Sequence, residues 1–294
     1  MSFVIIEKEV LRLFFLPILQ RRNSVKSGEY PIKMIAIDLD DTLIRDDTTV
    51  SDYTKDTIRR AQQKGIHIMI ATGRMYATAS PYGRMLGLGD IPMMLFGGGL
   101  IQTLESKKIL YSHPIPQEDA AQLLSLAKEK GWMMQSYIDD VLRVAEYNHW
   151  VADYERITHS HAVVCGDDFY TPCGAPDKLL SCDEHEVLLQ RAKEIEEAMP
   201  GRFDIMCSKP TFLEITPKGI SKGVCLKRLC DIYGISLQNV MSFGNGMNDL
   251  SMLKAAGFGV AVANAVPEVR EQVPYVTASN NEDGVARAIE KFIL

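Results

Sequence analysis

Four short stretches of this chain carry residue types that can do chemistry. "DLDDTL" sets Asp38, Asp40 and Asp41 directly after the apolar run "MIAI". "TGR", Thr72 to Arg74, follows "IHIMIA", and "GNGMND", Gly244 to Asp249, follows "VMSF". Lys222 falls in the first turn of a helix expected to open near Ser221. Two carboxylates two residues apart at a strand end can point to one side, and like charges that close need a cation. The parts suit phosphoryl transfer. A carboxylate attacks phosphorus and forms an aspartyl-phosphate, Mg²⁺ offsets the repulsion between the two anions, and a hydroxyl, backbone N–H groups and an ammonium hold the other phosphate oxygens. Any one of these stretches reads equally well as a turn, because Asp, Asn and Gly populate turns. Four of them, each at the expected rim of one sheet, outweigh that reading.

The elements that must position these groups follow from the hydrophobic pattern. "MIAI", "IHIMIA" and "MMLF" are short apolar runs, as strands buried on both faces of a parallel sheet would be. Between them lie "SDYTKDTIRRAQQKG", a helix with Ser51 as N-cap and Gly65 closing it, and a second helix around Met75–Leu86. The same grammar returns after residue 209, with helix, strand, helix, strand and a final helix. Strand and helix in alternation predict an open α/β sheet, whose ligands bind beyond the carboxyl ends of the strands. Between these halves the texture changes. Two helical segments alternate with pairs of strand-like runs, "MMQSYID" with "VLRVAEY" and "RFDIMCS" with "TFLEIT", which predicts antiparallel hairpins in an inserted α+β domain. The expected organisation is an N-terminal extension over residues 1–32, a core over 33–114 and 210–294, and an inserted domain over 115–209.

The composition narrows the partners. With 294 residues the chain can bury a sizeable core, and its 46% hydrophobic and 24% charged residues are ordinary for a globular protein. Thirty-eight acids against 32 bases give a formal charge of −6, and no dense basic block appears, which argues against nucleic acid. A small anionic substrate therefore needs local positive charge. The 6 cysteines form no C-x-x-C pair and read as free thiols in a reducing cytoplasm. "VLRLFFLPILQRR" is too short in its uncharged part to span a bilayer, and its basic residues follow the apolar run instead of preceding it. No stable membrane association is expected. His159 and His161 of "HSH" read as an exposed loop, and His113, Lys178 and His185 as solvated residues of the inserted domain or its hinges.

In order and spacing, "DLDDTL", "TGR", "FLEITPKGISKG" and "GNGMNDLSMLKAAGFGVAVANA" resemble the haloacid dehalogenase superfamily, in the Cof-type branch whose phosphatases carry a type IIB cap. The resemblance runs from about Lys33 to the C-terminus. It implies a Rossmann-like parallel-sheet core with an inserted α+β cap, and a Mg²⁺-dependent phosphatase of small phosphorylated metabolites such as sugar phosphates. Asp38 would then be the nucleophile. Asp40 would protonate the leaving oxygen and afterwards activate water. Thr72 and Gly73 would bind phosphate, Lys222 would neutralise charge, and Asn248 would help order loop and phosphate. The metal would be held by Asp38, the Asp40 carbonyl and residue 245, with Asp249 supporting through water, and the cap would choose the leaving group.

Two positions depart from the family's pattern. Its last motif reads G-D-x-x-N-D, and here the first acid is Asn245. An amide oxygen still ligates a hard cation, so this is expected to be a metal loop that has lost one charge. Where the family has Asn-Gly-Ala, this chain has Gly97, Gly98 and Gly99, with the loss of a polar contact near the phosphate expected. The alternative functional class is a catalytically weakened binder or sensor of phosphorylated metabolites. A phosphomutase-type relative ranks last.

Overall fold

The computed structural model describes residues 31–294, so the extension expected over 1–32 lies outside the described residues except for its last two. The chain runs β1 (Met34–Asp38), α1 (Asp52–Gln63), β2 (His67–Ala71), α2 (Tyr76–Leu86), β3 (Pro92–Leu95), β4 (Leu100–Thr103) and β5 (Ile109–Ser112). It continues through α3 (Gln117–Lys130), β6 (Met134–Ile138), β7 (Val141–Val144), α4 (His149–Thr158), β8 (Ala162–Val164), β9 (Lys178–Cys182), α5 (His185–Ala198), β10 (Phe203–Lys209) and β11 (Phe212–Pro217). The last part is α6 (Lys222–Tyr233), β12 (Val240–Gly244), α7 (Leu250–Ala255), β13 (Phe258–Ala261), α8 (Pro267–Arg270), β14 (Tyr275–Val276) and α9 (Gly284–Phe292). This is a mixed α/β protein with a parallel-sheet core, as the sequence pattern predicts. No helix among the described residues is long and apolar enough to cross a membrane.

The chain divides into two compact units. One holds the chain up to Ile70, Leu86–Ile91 and Leu226–Leu294; the other holds Ala71–Met85 and Pro92–Cys225. The first unit is built on strands in the order β14-β13-β12-β1-β2. β1 pairs parallel with β12 from Met34↔Val240 to Ile37↔Phe243, and β12 pairs parallel with β13. Every residue of β1, β12 and β13 is buried, which is why these strands are continuous apolar runs instead of alternating ones. Burying a side chain such as Ile35 or Ile37 contributes about 1.5–3 kcal/mol. Ser51 caps α1 as expected, accepting from the Thr54 N–H at 3.0 Å. α9 turns Val285, Ala288, Ile289 and Phe292 inward, and the Phe292 ring meets Phe258 and Tyr275 edge-on at 4.9 Å each.

The second unit contains the antiparallel run β3-β4-β5 and a sheet in the order β10-β11-β9-β6-β7-β8. Both expected hairpins form, β6 with β7 and β10 with β11. The first turns on Asp139 and Asp140, both at positive φ (54° and 58°), the backbone that a two-residue hairpin with right-twisted strands demands. α3 and α5 cover one face of this sheet, with Leu123, Leu188 and Ile195 packed on Met134, Leu179 and Ile215. Four strands of this unit, β4, β5, β8 and β9, were not read from the sequence. β4 and β5 are 4 residues each and carry Gln102 and Ser112, so no clear run announces them. β9 begins on a lysine and is nonetheless buried throughout. These compact units divide the chain at other residues than the expected core (33–114 and 210–294) and inserted domain (115–209).

A polar clamp in the first unit ties the segment after β1 to the start of α9. Asp283 accepts from Arg45 at 2.7 and 2.8 Å, from the Ser51 hydroxyl at 2.6 Å and from the Thr54 hydroxyl at 3.0 Å. Burial pushes its carboxyl up, but the hydrogen bonds from Ser51, Arg45 and Thr54 outweigh this and hold it below the ordinary 3.8. A depressed folded value means the stabilisation is present above pH 3.8 and fades as pH falls through the lower folded value. Asp283→Asn keeps a residue at ease with the positive φ and removes the charge. It is expected to cost about 1–3 kcal/mol at pH 7, with the gap to the parent protein closing at strongly acid pH. Urea unfolding at several pH values checks this, and a gap constant down to pH 2.5 would contradict it.

Candidate active site

In the first unit, the polar groups collect where β1 and β12 end. Asp38 is the last residue of β1 and is buried (4% exposed). The chain then leaves the strand in one irregular turn, Leu39–Leu43, with Asp40 extended and Asp41 at φ 56°. Asp40 and Asp41 are exposed. The turn is fastened from the far end of the chain. The Thr42 hydroxyl donates to the Asn245 side-chain oxygen at 3.1 Å, and the Asn264 amide donates to the Asp41 carbonyl at 2.8 Å.

The loop after β12 is organised by one carboxylate. Asp249 is fully buried, and its Oδ2 accepts from the backbone N–H groups of Asn245 and Gly246, both at 2.9 Å. Two charge-assisted bonds to successive N–H groups set the loop's curvature before any ligand arrives. The outer side of the loop is tied to the residues after β13, where the Val266 N–H donates to the Asn245 carbonyl at 3.0 Å. Asp249 lies over Gly244 so closely that a Cβ there would sit 2.5 Å from the Asp249 Cβ. The glycine is required by close approach. Asn248 is exposed. Of the expected residues, the first unit thus contains Asp38, Asp40, Asn245, Asn248 and Asp249. Among the described residues, no three His, Cys, Asp or Glu side chains gather to hold a metal ion; the oxygen donors here include one amide.

The second unit contains Thr72, Gly73 and Lys222. Thr72 is fully buried; its N–H donates to the Met94 carbonyl at 2.9 Å, its own carbonyl accepts from Gly97, and its hydroxyl accepts from the Arg74 N–H at 3.1 Å. Lys222 is buried to 1% exposure, and its ammonium donates to the Ala71 carbonyl at 3.3 Å. The glycine run has its own steric reason. A Cβ on Gly98 would lie 2.7 Å from the Ser221 carbonyl oxygen, so the turn packs on the backbone that leads into Lys222.

Three features of this unit were missed or misread in the sequence. Lys178, expected to be solvated, is buried at 3% exposure. Its ammonium donates to the Gly73 carbonyl at 3.3 Å, pairs with Glu214 at 3.5 Å and lies 5.0 Å from the Tyr137 ring centre. Burial alone would lower its pKa, but Glu214 and Tyr154 outweigh that and raise it, so the amine stays charged. A lysine heading an apolar strand was the only signal, and its partners lie far away in sequence. The second feature is Asp140, whose carboxylate accepts from the Ala77 N–H at 2.9 Å and so satisfies an open donor in the first turn of α2. The third is Asp177, pushed up to about 6 by burial and then by the charges of Asp139 and Asp140. His113, His159, His161 and His185 are exposed, as expected.

Comparison with known proteins points to hydrolases. A family model described as haloacid dehalogenase-like hydrolase matches residues 35–289. The 5-amino-6-(5-phospho-D-ribitylamino)uracil phosphatase YcsE of Bacillus subtilis is 31% identical over 92% of this chain and 100% of its own. The crystal structure of TM0651 from Thermotoga maritima superposes with a TM-score of 0.82 at 27% identity, covering 90% of this chain and 98% of that one. The subclass IIB sugar phosphatase BT4131 superposes with a TM-score of 0.76 at 26% identity, over 88% of this chain and 98% of that one.

The contact between Gly244 and Asp249 can be tested on its own. Gly244→Ala forces the carboxylate away from the two N–H groups it holds, and it is expected to cost about 1–3 kcal/mol. Thermal unfolding together with amide hydrogen exchange at Asn245 and Gly246 reads both effects. Unchanged stability and unchanged protection would show that the loop does not depend on this packing.

Proposed function

We infer that this chain, which belongs to the haloacid dehalogenase-like hydrolases and is a phosphatase of small phosphorylated metabolites, works with Mg²⁺ through an aspartyl-phosphate. The observation that carries the reading is the end of β1. A buried carboxylate, Asp38, stands at the strand terminus and an exposed one, Asp40, follows on a turn held by Thr42 and Asn245. One acid is fixed and shielded, as a nucleophile should be; the other is accessible, as an acid and base must be.

In the proposed cycle, Asp38 attacks phosphorus while Asp40 gives its proton to the departing oxygen. Asp40, now a carboxylate, takes a proton from water, which opens the acyl phosphate and returns Asp38. Thr72, the Gly73 backbone and Lys222 hold the phosphate oxygens, and Asn248 steadies the loop. Lys178 helps by anchoring the Gly73 carbonyl. A hard cation suits the oxygen donors that the chain offers: Asp38, the Asp40 carbonyl and the Asn245 amide, with Asp249 already committed to ordering the loop. When bound, Mg²⁺ would offset the repulsion between carboxylate and phosphate. Residues 115–209 would serve as the cap that selects the leaving group. Six free thiols favour a reducing compartment, and we place the protein in the cytoplasm. A catalytically weakened binder is not favoured, because a pure binder has no use for an exposed acid at position 40.

Asp38→Asn is expected to lower phosphate release by at least about a thousandfold with an unchanged circular dichroism spectrum and melting temperature. The substrates are p-nitrophenyl phosphate and a panel of sugar phosphates, nucleotides and 5-amino-6-(5-phospho-D-ribitylamino)uracil. A folded variant that keeps most of the activity would remove Asp38 from the mechanism.

Asn245→Asp restores a charged oxygen without removing the acceptor for Thr42. Near ~2 Å the added Coulomb attraction is large even at an effective dielectric of about 20, but desolvation and repulsion from neighbouring carboxylates cancel much of it. Mg²⁺ affinity is expected to rise roughly tens-fold, read by calorimetry and by the Mg²⁺ dependence of phosphate release, on samples whose intact mass excludes deamidation of the Asn-Gly pair. Superimposable titrations would show that this side chain does not face the ion.

A further inference from the structure

The second unit contains a cavity of about 380 Å³ that the catalytic reading does not use. Its walls include Ser136 and Ile138 of β6, Arg143 of β7, and Asp168, Phe169 and Cys173 from the stretch between β8 and β9. Along β6 successive side chains point to opposite faces. Tyr137 lies under Lys178, which contacts Gly73, so Ser136 and the cavity belong to the other face. The size is that of a small-molecule pocket.

Two of the buried polar side-chain atoms on its walls are unsatisfied among the described residues. Ser136 is 2% exposed and its hydroxyl has no hydrogen-bond partner among the described residues. Arg143 stands directly opposite Ser136 across the hairpin, and its buried Nε is also without a partner. Buried donors in folded proteins are almost always paired, so two facing orphans that line one cavity call for an acceptor within it. Asp168, on the same wall, is exposed and has no hydrogen bond or ion pair from its carboxylate among the described residues; its neighbour Asp167 is the one paired with Lys128. Arg143 and Asp168 do not pair with each other. A planar fork of donors and a separate carboxylate, held apart on one wall, suit a molecule with an anionic oxygen pair at one end and an ammonium at the other. A phosphate would meet Asp168 with like charge.

We propose that this cavity binds a free α-amino acid, its carboxylate on Arg143 and Ser136 and its ammonium on Asp168, with the side chain against Ile138 and Phe169. Because the cavity lies on the face turned away from Lys178, the amino acid is a separate ligand and not the phosphorylated substrate.

The test titrates the intact protein by calorimetry with each of the twenty standard amino acids at millimolar concentration. The matching 2-oxo acids and inorganic phosphate are run in parallel. At least one amino acid is expected to saturate. Arg143→Met should weaken it by about tenfold or more, as should Asp168→Asn, which should leave the 2-oxo acid's binding as it was. The exposed Cys173 thiol should be alkylated more slowly with the amino acid bound. Asp38→Asn should bind it unchanged, which separates this outcome from any failure of the catalytic assignment. Should Arg143→Met not fold, Arg143→Gln serves in its place. No saturable amino acid, or equal binding to the Arg143 variant, overturns the proposal, and displacement of the amino acid by phosphate would make the cavity an oxyanion site instead.

Discussion

Parallel pairing of β1 with β12 is the constraint on which the first unit depends. It aligns Ile37 with Phe243, so that residues 38 and 244, some two hundred positions apart, leave the sheet at one level. Both strands are buried on both faces, and the register is locked by the same apolar side chains that make the core. The polar turns that follow inherit their position from that packing. Thr42 reaches Asn245, and Asn264 reaches the Asp41 carbonyl, only because the strands beneath them end together.

What those turns can do depends on where each charge is already committed. Asp249 is spent on the N–H groups of Asn245 and Gly246, and the glycine beneath it leaves no space for a different arrangement. The loop is therefore preorganised by protein alone. Asn245 contributes a neutral oxygen to a place where a carboxylate would add charge, and its bond from Thr42 keeps that oxygen aimed at the turn after β1. The loop's shape and its charge are separate properties here: one is set by Asp249 and Gly244, the other by residue 245.

The two faces of the second unit's six-stranded sheet differ. On one face Lys178 sits among Tyr137, Glu214 and the Gly73 carbonyl, a charged group kept charged in a buried position by its partners. On the other face, helices cover most of the sheet and leave the cavity beside β6 and β7. Strand alternation makes this division inevitable, since Ser136 and Tyr137 are neighbours in sequence and face opposite ways. The hairpin turn between these strands adds an electrostatic feature: burial, and then the charges of Asp139 and Asp140, push the Asp177 carboxyl up to about 6.

Buried parallel strands are apolar runs and helices carry caps, so the α/β class, the strand-end motifs and the hairpins of the second sheet were legible in the amino-acid order alone. The side chains proposed for catalysis stand in "DLDDTL" and "GNGMND", local patterns that the amino-acid order displays directly. Short strands such as β4 and β5 were not legible, since four residues with polar members have no periodicity to read. Lys178 was misread for a deeper reason. A lysine in sequence is a solvated residue by default, and only the folded sheet brings Glu214, Tyr137 and the Gly73 carbonyl around it. The same holds for Ser136 and Arg143, whose lack of partners exists only once the strands have paired. Local order determines which groups are available and which elements form; whether a given charge is paired, orphaned or buried is decided by contacts between residues far apart in the chain, and those exist only in the tertiary structure.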